Sequence, residues 1–122
     1  MKERENIIKL SPRLQAVADM VKTGHKLADI GTDHAYLPIY LVQEGRIPSA
    51  VAIDVHQGPY KSALQQVAAQ GLKEKIKVLL GDGLEPLDFG QVDVAVLAGM
   101  GSTTMMDILN EKPEVTSSLK QL

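Results

Sequence analysis

The sequence predicts an α/β fold in which a parallel sheet is flanked by helices, with only the first strands of such a sheet present. Short apolar runs of strand length alternate with longer segments whose apolar residues recur at helical spacing. The runs end in acids or glycines, as strands do where they pass into loops. That alternation implies right-handed crossovers and helices on both faces of the sheet.

Ser11-Pro12 opens the first helix, because serine caps free N–H groups and proline, lacking an N–H, suits the first helical position. Leu14, Val17, Ala18 and Val21 follow on one apolar face, and Gly24 ends the segment. The run from Lys26 to Ile30 is too short for a helix and is bounded by Gly24 and Gly31, so it reads as a buried strand. The second helix is expected to begin near Pro38, which would break a helix interior, and to close at Gly45. A loop from Gly31 to about Leu37 is left in between. Ala50 to Asp54 is a second parallel strand. Gly58-Pro59 starts a third helix, with Ala63, Leu64, Val67 and Ala68 facing inward and Gly71 as the C-terminal cap. Ile76 to Leu80 and Val92 to Ala98 are the third and fourth strands, and Met105, Met106, Ile108 and Leu109 predict a further helix. Four strands make a thin sheet, and so apolar a fourth strand is a poor edge. Residues 1–122 are therefore expected to be the N-terminal part of one domain whose natural chain continues past Leu122.

The totals narrow the class of function. The 44% hydrophobic and 23% charged residues are globular values. No apolar run approaches a membrane span, and the mixed charges of Met1 to Asn6 do not resemble a signal peptide. The absence of cysteine excludes disulfides and thiolate metal sites and fits a cytoplasmic home. A net charge of −2 argues against a whole-surface nucleic-acid binder, although basic residues from Lys2 to Lys26 outnumber the acids there. The bland reading of that excess, a solvated helix face, is the commoner one. His34 beside Asp33 could suggest proton transfer or a metal, but one such neighbour pair is a weak signal; His25 and His56 lack metal-ligand spacing, and no metal is expected. Met100, Met105 and Met106 read as core packing.

Three acids, Asp29, Asp54 and Asp82, fall at equivalent places at or after the first three strands, on the edge where open parallel sheets bind ligands. Asp54 follows Asp29 by 25 residues, near the separation at which an acid after the second strand accepts both hydroxyls of a ribose. Strand-end acids also cap helices, and for any one of them that structural role is at least as common. Three in register with Gly31, Gly83, Gly99 and Gly101 favour a nucleotide-like cofactor. Its phosphate content is limited by Gly31-Thr32-Asp33-His34, which has Asp33 where a pyrophosphate loop needs a second glycine. An acidic loop suits a cofactor with a cationic amino-acid end, such as S-adenosyl-L-methionine.

At this point the residues carry a family resemblance. Leu10-Ser11-Pro12-Arg13-Leu14, the run from Asp29-Ile30-Gly31-Thr32-Asp33-His34 through Ala35-Tyr36-Leu37-Pro38, Gly58-Pro59 with Ser62-Ala63, Gly81-Asp82-Gly83-Leu84 and Ala98-Gly99-Met100-Gly101 occur in that order. They resemble the bacterial TrmK family, Rossmann-like class I S-adenosylmethionine-dependent methyltransferases that methylate N1 of adenine 22 in tRNA. The likeness runs from about Ile8 to the end of the chain. It implies that Asp29 and Gly31 lie by the methionine part of the cofactor, that Asp33 and His34 also belong to the cofactor-binding residues, and that Asp54 holds its ribose. Asp82 and Gly83 would lie beside its adenine, and Ala98, Gly99 and Met100 would line the transfer site. Two departures stand out: Ile53-Asp54 replaces a frequent Gly-Glu, and Ser102 replaces the last glycine of Gly-Met-Gly-Gly. The family also continues through a seven-stranded sheet, with a Gln-Pro-Asn segment near the active site, and a helical C-terminal domain, none of which is in this sequence.

For methylation of adenine N1, Asp33 is the candidate electrostatic partner, Tyr36 the candidate ring on which the base stacks, and Arg13 a candidate contact to tRNA phosphate. Each has a plainer reading: Tyr36 as a half-buried helix residue, Arg13 as the partner of an acid. Competing functions are a class I methyltransferase acting on a small molecule or protein, a non-catalytic nucleotide-binding module, and an NAD-dependent oxidoreductase, the last disfavoured by Asp33.

Overall fold

The structure, a computed structural model, describes residues 9–32, 34–88 and 90–97. Helix α1 spans Pro12–Met20, strand β1 Leu27–Ile30, helix α2 Tyr36–Gln43 and strand β2 Ala50–Asp54. Helix α3 (Gln57–Ala69), strand β3 (Ile76–Leu80) and strand β4 (Val94–Val96) follow. The start of α1 is built as its sequence dictates: Ser11 is extended, its hydroxyl accepts the Leu14 N–H at 3.3 Å, and Pro12 takes the first position.

All pairings are parallel and the strand order is β3-β2-β1-β4. The chain builds outward from β1 to β2 and β3, then returns to the far side of β1. That reversal creates a switch point between β1 and β4, and in open α/β sheets ligands bind outside the carboxyl ends of strands at such a point.

Both faces of the sheet are covered. On one, Leu27, Ala50, Ala52, Val94 and Val96 pack with Ala18 of α1, Leu37, Ile39 and Leu41 of α2, and Ala63 and Val67 of α3. On the other, Ala28, Ile30, Val51, Ile53 and Ala95 pack with Leu84, Leu87 and Val92. Burial on both sides explains why β1 and β2 read as unbroken apolar runs and not as alternating strands.

Three expectations need correction. Helix α2 begins two residues before Pro38; its first bond runs from the Ile39 N–H to the Ala35 carbonyl, so Pro38 occupies a first-turn position where an N–H would have no intrahelical partner. The loop before it is correspondingly shorter. In α3 only Ala63 and Val67, four residues apart, reach the core, while Leu64 and Ala68 turn to solvent. The fourth strand is confined to Val94–Val96; Val92 and Leu97 are buried but outside the ladder. Ala98 and the helix expected around Met105 to Leu109 lie outside the described residues. Among the described residues no helix is long and apolar enough to cross a membrane.

Candidate functional site at the carboxyl edge of the sheet

Asp29 is the penultimate residue of β1 and is buried, with 5% of its surface exposed. The Thr32 hydroxyl donates to its Oδ2 at 2.8 Å. Burial pushes the Asp29 carboxyl up to about 7, against the lowering effect of the Thr32 bond, and the neighbouring Asp54 raises it further. Asp54 ends β2, is equally withdrawn from solvent, and accepts the His56 N–H at 3.1 Å. This bond closes a local side-chain turn just ahead of α3, whose N-terminus itself carries no side-chain cap.

The loop between β1 and α2 is shaped by its backbone. Gly31 takes φ +72°, the left-handed region that glycine enters without penalty. The N–H groups of Gly31 and Thr32 both donate to the Ile53 carbonyl, at 2.9 and 3.0 Å. The Ala35 N–H donates to the Thr32 carbonyl at 3.1 Å. These three donors are spent inside the fold and are not free to cradle a pyrophosphate. Ala35 itself is left-handed at φ 61°, the single non-glycine residue of that kind among those described, and it is completely buried. Such a conformation costs roughly 1–2 kcal/mol in an L-residue and persists where the surroundings dictate it, often at a ligand site.

His34 is half-buried, and its Nδ1 is hydrogen-bonded to the Ser62 hydroxyl of α3. The rings of His34 and Tyr36 stack with centroids 5.1 Å apart and planes inclined by 25°. Tyr36, the first residue of α2, is half-buried. After β3, Asp82 is exposed and Gly83 is buried. Gly81 beside them has no room for a side chain: a Cβ there would stand 2.3 Å from Pro86 Cγ. Arg13 is exposed on α1.

The fold thus brings Asp29, Gly31, His34, Tyr36 and Asp54 to one edge through β1, β2 and the loop between β1 and α2. Asp82 and Gly83 reach that edge from β3, and Arg13 sits apart on α1. Asp33, Ala98, Gly99 and Met100 lie outside the described residues. Among the described residues no cluster of three or more potential metal ligands exists. Two further residues contribute to this edge. Thr32 stands three residues after Asp29, a spacing that can place a hydroxyl on a strand-end carboxylate. Ser62 reaches His34 across 28 positions, and nothing local in the sequence signals that contact.

Buried acids beside a glycine turn at the switch point of a parallel sheet place the molecule in the class of α/β proteins built to hold a nucleotide-like ligand at the carboxyl edge. Within that class the chain belongs to the methyltransferase-domain family, which matches residues 10–122. The tRNA (adenine(22)-N(1))-methyltransferase of Bacillus subtilis (strain 168) is 45% identical over 104 residues, 85% of this chain and 44% of that protein. The crystal structure of B. subtilis TrmK, an M1A22 tRNA methyltransferase, superposes with a TM-score of 0.86 at 42% identity, covering 88% of this chain and 46% of that one. A Streptococcus pneumoniae protein crystallised with S-adenosyl-L-methionine gives 0.88 at 46% identity, covering 91% and 52%. The motif resemblance to TrmK proteins therefore extends to sequence and fold. The chain spans about half the length of these relatives.

Proposed function

We propose that residues 1–122 form the cofactor-binding N-terminal part of an S-adenosyl-L-methionine-dependent methyltransferase that acts on N1 of adenine 22 in tRNA, in the cytoplasm. The observation that carries the cofactor half of this reading is the pair of buried carboxylates, Asp29 and Asp54, on neighbouring strand ends beside a turn whose Gly31, Thr32 and Ala35 N–H groups are already engaged. That donor set fits a ligand with a ribose diol and a positive end and fits a pyrophosphate poorly. The tRNA half rests on likeness to the B. subtilis enzyme.

When bound, S-adenosyl-L-methionine supplies an electrophilic methyl group on a sulfonium. Asp54 accepts the ribose hydroxyls, and Asp29 faces the methionine end. Asp82 and Gly83 flank the adenine, while Ala98, Gly99 and Met100 line the transfer site. Adenine N1 carries a free lone pair at neutral pH, so the protein needs no strong base. Its task is to align N1 with the methyl group and to stabilise the positive charge that develops on the ring. Asp33 supplies the opposing negative charge and Tyr36, already stacked on His34, offers a ring surface to an unstacked base. Arg13 contacts tRNA phosphate.

Calorimetry with S-adenosyl-L-methionine, S-adenosylhomocysteine and NAD tests the cofactor assignment: the first two bind and NAD does not, and binding of NAD alone overturns it. In the complete enzyme, Asp33→Asn lowers turnover more than cofactor affinity. Equal loss of both removes Asp33 from its electrostatic role.

A further inference from the structure

Helix α2 has a neighbour on each side, and the contacts to both keep a constant spacing in sequence. Toward α1, the Gln15 side-chain amide donates to the Tyr40 hydroxyl at 3.2 Å. Arg46, just past α2, donates to the carbonyl of Val21, the cap at the end of α1. Both contacts join residues 25 apart, as they do when two helices lie side by side and run the same way. Toward α3, His34 meets Ser62, 28 residues on, and Gln43 donates to Gln70, 27 residues on, at 2.9 Å. The three helices therefore start together at the carboxyl edge, with α2 in the middle.

That alignment decides what stands around the His34–Tyr36 ring pair. Carried back one turn from Gln15 and Tyr40, the spacing of 25 sets Ser11, the cap of α1, level with Tyr36. Lys9 and Arg13, exposed on either side of Ser11 and apart from the strand-end acids, flank the rings from α1. Leu10 beside them packs against the core, so this entry to α1 is docked. Lys61, exposed next to Ser62, flanks the rings from α3. None of the three helices has an acid in its first turn. Among the described residues no acid pairs with Lys9, Arg13 or Lys61. Packed helices lie about 8–10 Å apart, so the two sets of cations stand about 16–20 Å from each other with the rings between them. At about 3.4 Å per nucleotide, several phosphates of one strand cover that interval.

An RNA that gives up a base from its stack has to be held by its backbone, since phosphate contacts fix position while base contacts read sequence. We propose that Lys61 from α3, with Lys9 and Arg13 from α1, forms a two-sided phosphate-binding rim that grips the RNA backbone on both sides of the nucleotide offered to Tyr36. This rests on the tRNA reading and adds Lys9, Lys61 and the two-sided arrangement to it. The strand ends then face the cofactor and the helix starts face the RNA.

The test measures tRNA binding by the complete enzyme between about 50 and 200 mM salt. Each phosphate contact removed makes the plot of log affinity against log salt shallower by about 0.7–0.9. Lys61→Gln should cost one such step, and Lys9→Gln combined with Arg13→Gln two, while calorimetric affinity for S-adenosyl-L-methionine is unaffected. Lys77→Gln, exposed on the outer strand β3, is the control and should leave the slope as it was. An unchanged slope in either rim variant overturns the two-sided rim and leaves the methyltransferase reading standing. An equal change in the Lys77 variant also overturns it, because overall charge is then the cause. If the enzyme binds S-adenosyl-L-methionine but no tRNA at any salt, the tRNA reading itself fails and the rim falls with it.

Discussion

The two ends of the same sheet treat acids in opposite ways. At the amino end, Asp93 sits half-exposed just before β4; its Oδ2 accepts the Lys26 N–H at 3.0 Å, and its own N–H donates to the Lys26 carbonyl at 2.8 Å. Arg46 there donates to the Val21 carbonyl, and its own carbonyl receives the Gly24 N–H. These polar groups complete the backbone where strands begin. At the carboxyl end, Asp29 and Asp54 are buried side by side, and Asp29 is held well above the usual carboxylate range. An acid that satisfies backbone stabilises the fold; an acid buried near another acid is a cost, retained where a ligand supplies the missing charge.

The largest expected contrast is in stability. Between about pH 4 and pH 7 the Asp29 carboxyl is protonated in the folded chain and ionised in the unfolded one, so the folded state binds more protons and loses stability as pH rises through that window. Asp29→Asn abolishes this slope. Thermal melts at pH 8 should find the variant more stable by up to about 4 kcal/mol, at roughly 1.4 kcal/mol per pKa unit. Asp93→Ala should instead destabilise by about 1 kcal/mol, the worth of an ordinary hydrogen bond. A stabilising change at both ends, or at neither, would erase the distinction.

The second contrast is in affinity. Asp54→Ala removes a charged acceptor of the ribose and should weaken S-adenosyl-L-methionine binding by about 1.5–3 kcal/mol, roughly 10- to 150-fold in Kd. Asp93→Ala should leave calorimetric affinity unchanged. A matched pair of glycines repeats the comparison for the backbone. Gly31 at φ +72° and Gly24 at φ +88° are both left-handed, and each Gly→Ala change should cost on the order of 1 kcal/mol of stability. Only Gly31→Ala should also weaken the cofactor, because only its turn carries the Asp29–Thr32 contact.

How much of this was legible in the sequence follows the same division. Ala50–Asp54 and Ile76–Leu80 could be read to the residue because apolar runs bounded by glycine and acid are local signals. The start of α2 was not, because a proline in a first turn and a proline breaking a helix have the same sequence signature, and only the Ile39–Ala35 bond tells them apart. The inward face of α3 is narrower than its apolar residues suggest: Leu64 and Ala68 are apolar enough to be core, but the helix meets the sheet along the stripe of Ala63 and Val67. In the candidate site, the strand-end acids and Gly31 were visible as a pattern. Their burial and the effect of Asp54 on Asp29 were not, since both depend on the parallel register of β1 and β2.

The smallest expected effect concerns the bond from Ser62 to His34, which joins α3 to the loop between β1 and α2. If the loop were held by its backbone alone, through Gly31, Thr32 and Ile53, the Ser62 hydroxyl would matter only as one more hydrogen bond, worth about 1 kcal/mol of stability. But His34 also stacks on Tyr36, so the same hydroxyl sets the plane of a ring pair at the carboxyl edge. Ser62→Ala should therefore lower cofactor affinity a few-fold in addition to its effect on melting temperature, and Ser62→Thr, which restores the hydroxyl, should recover both. Loss of stability with unchanged affinity would assign Ser62 to the scaffold alone. A parallel loss, rescued by threonine, would extend the functional edge from the two strands to α3, with His34 as the link between the buried acids and the aromatic ring beside them.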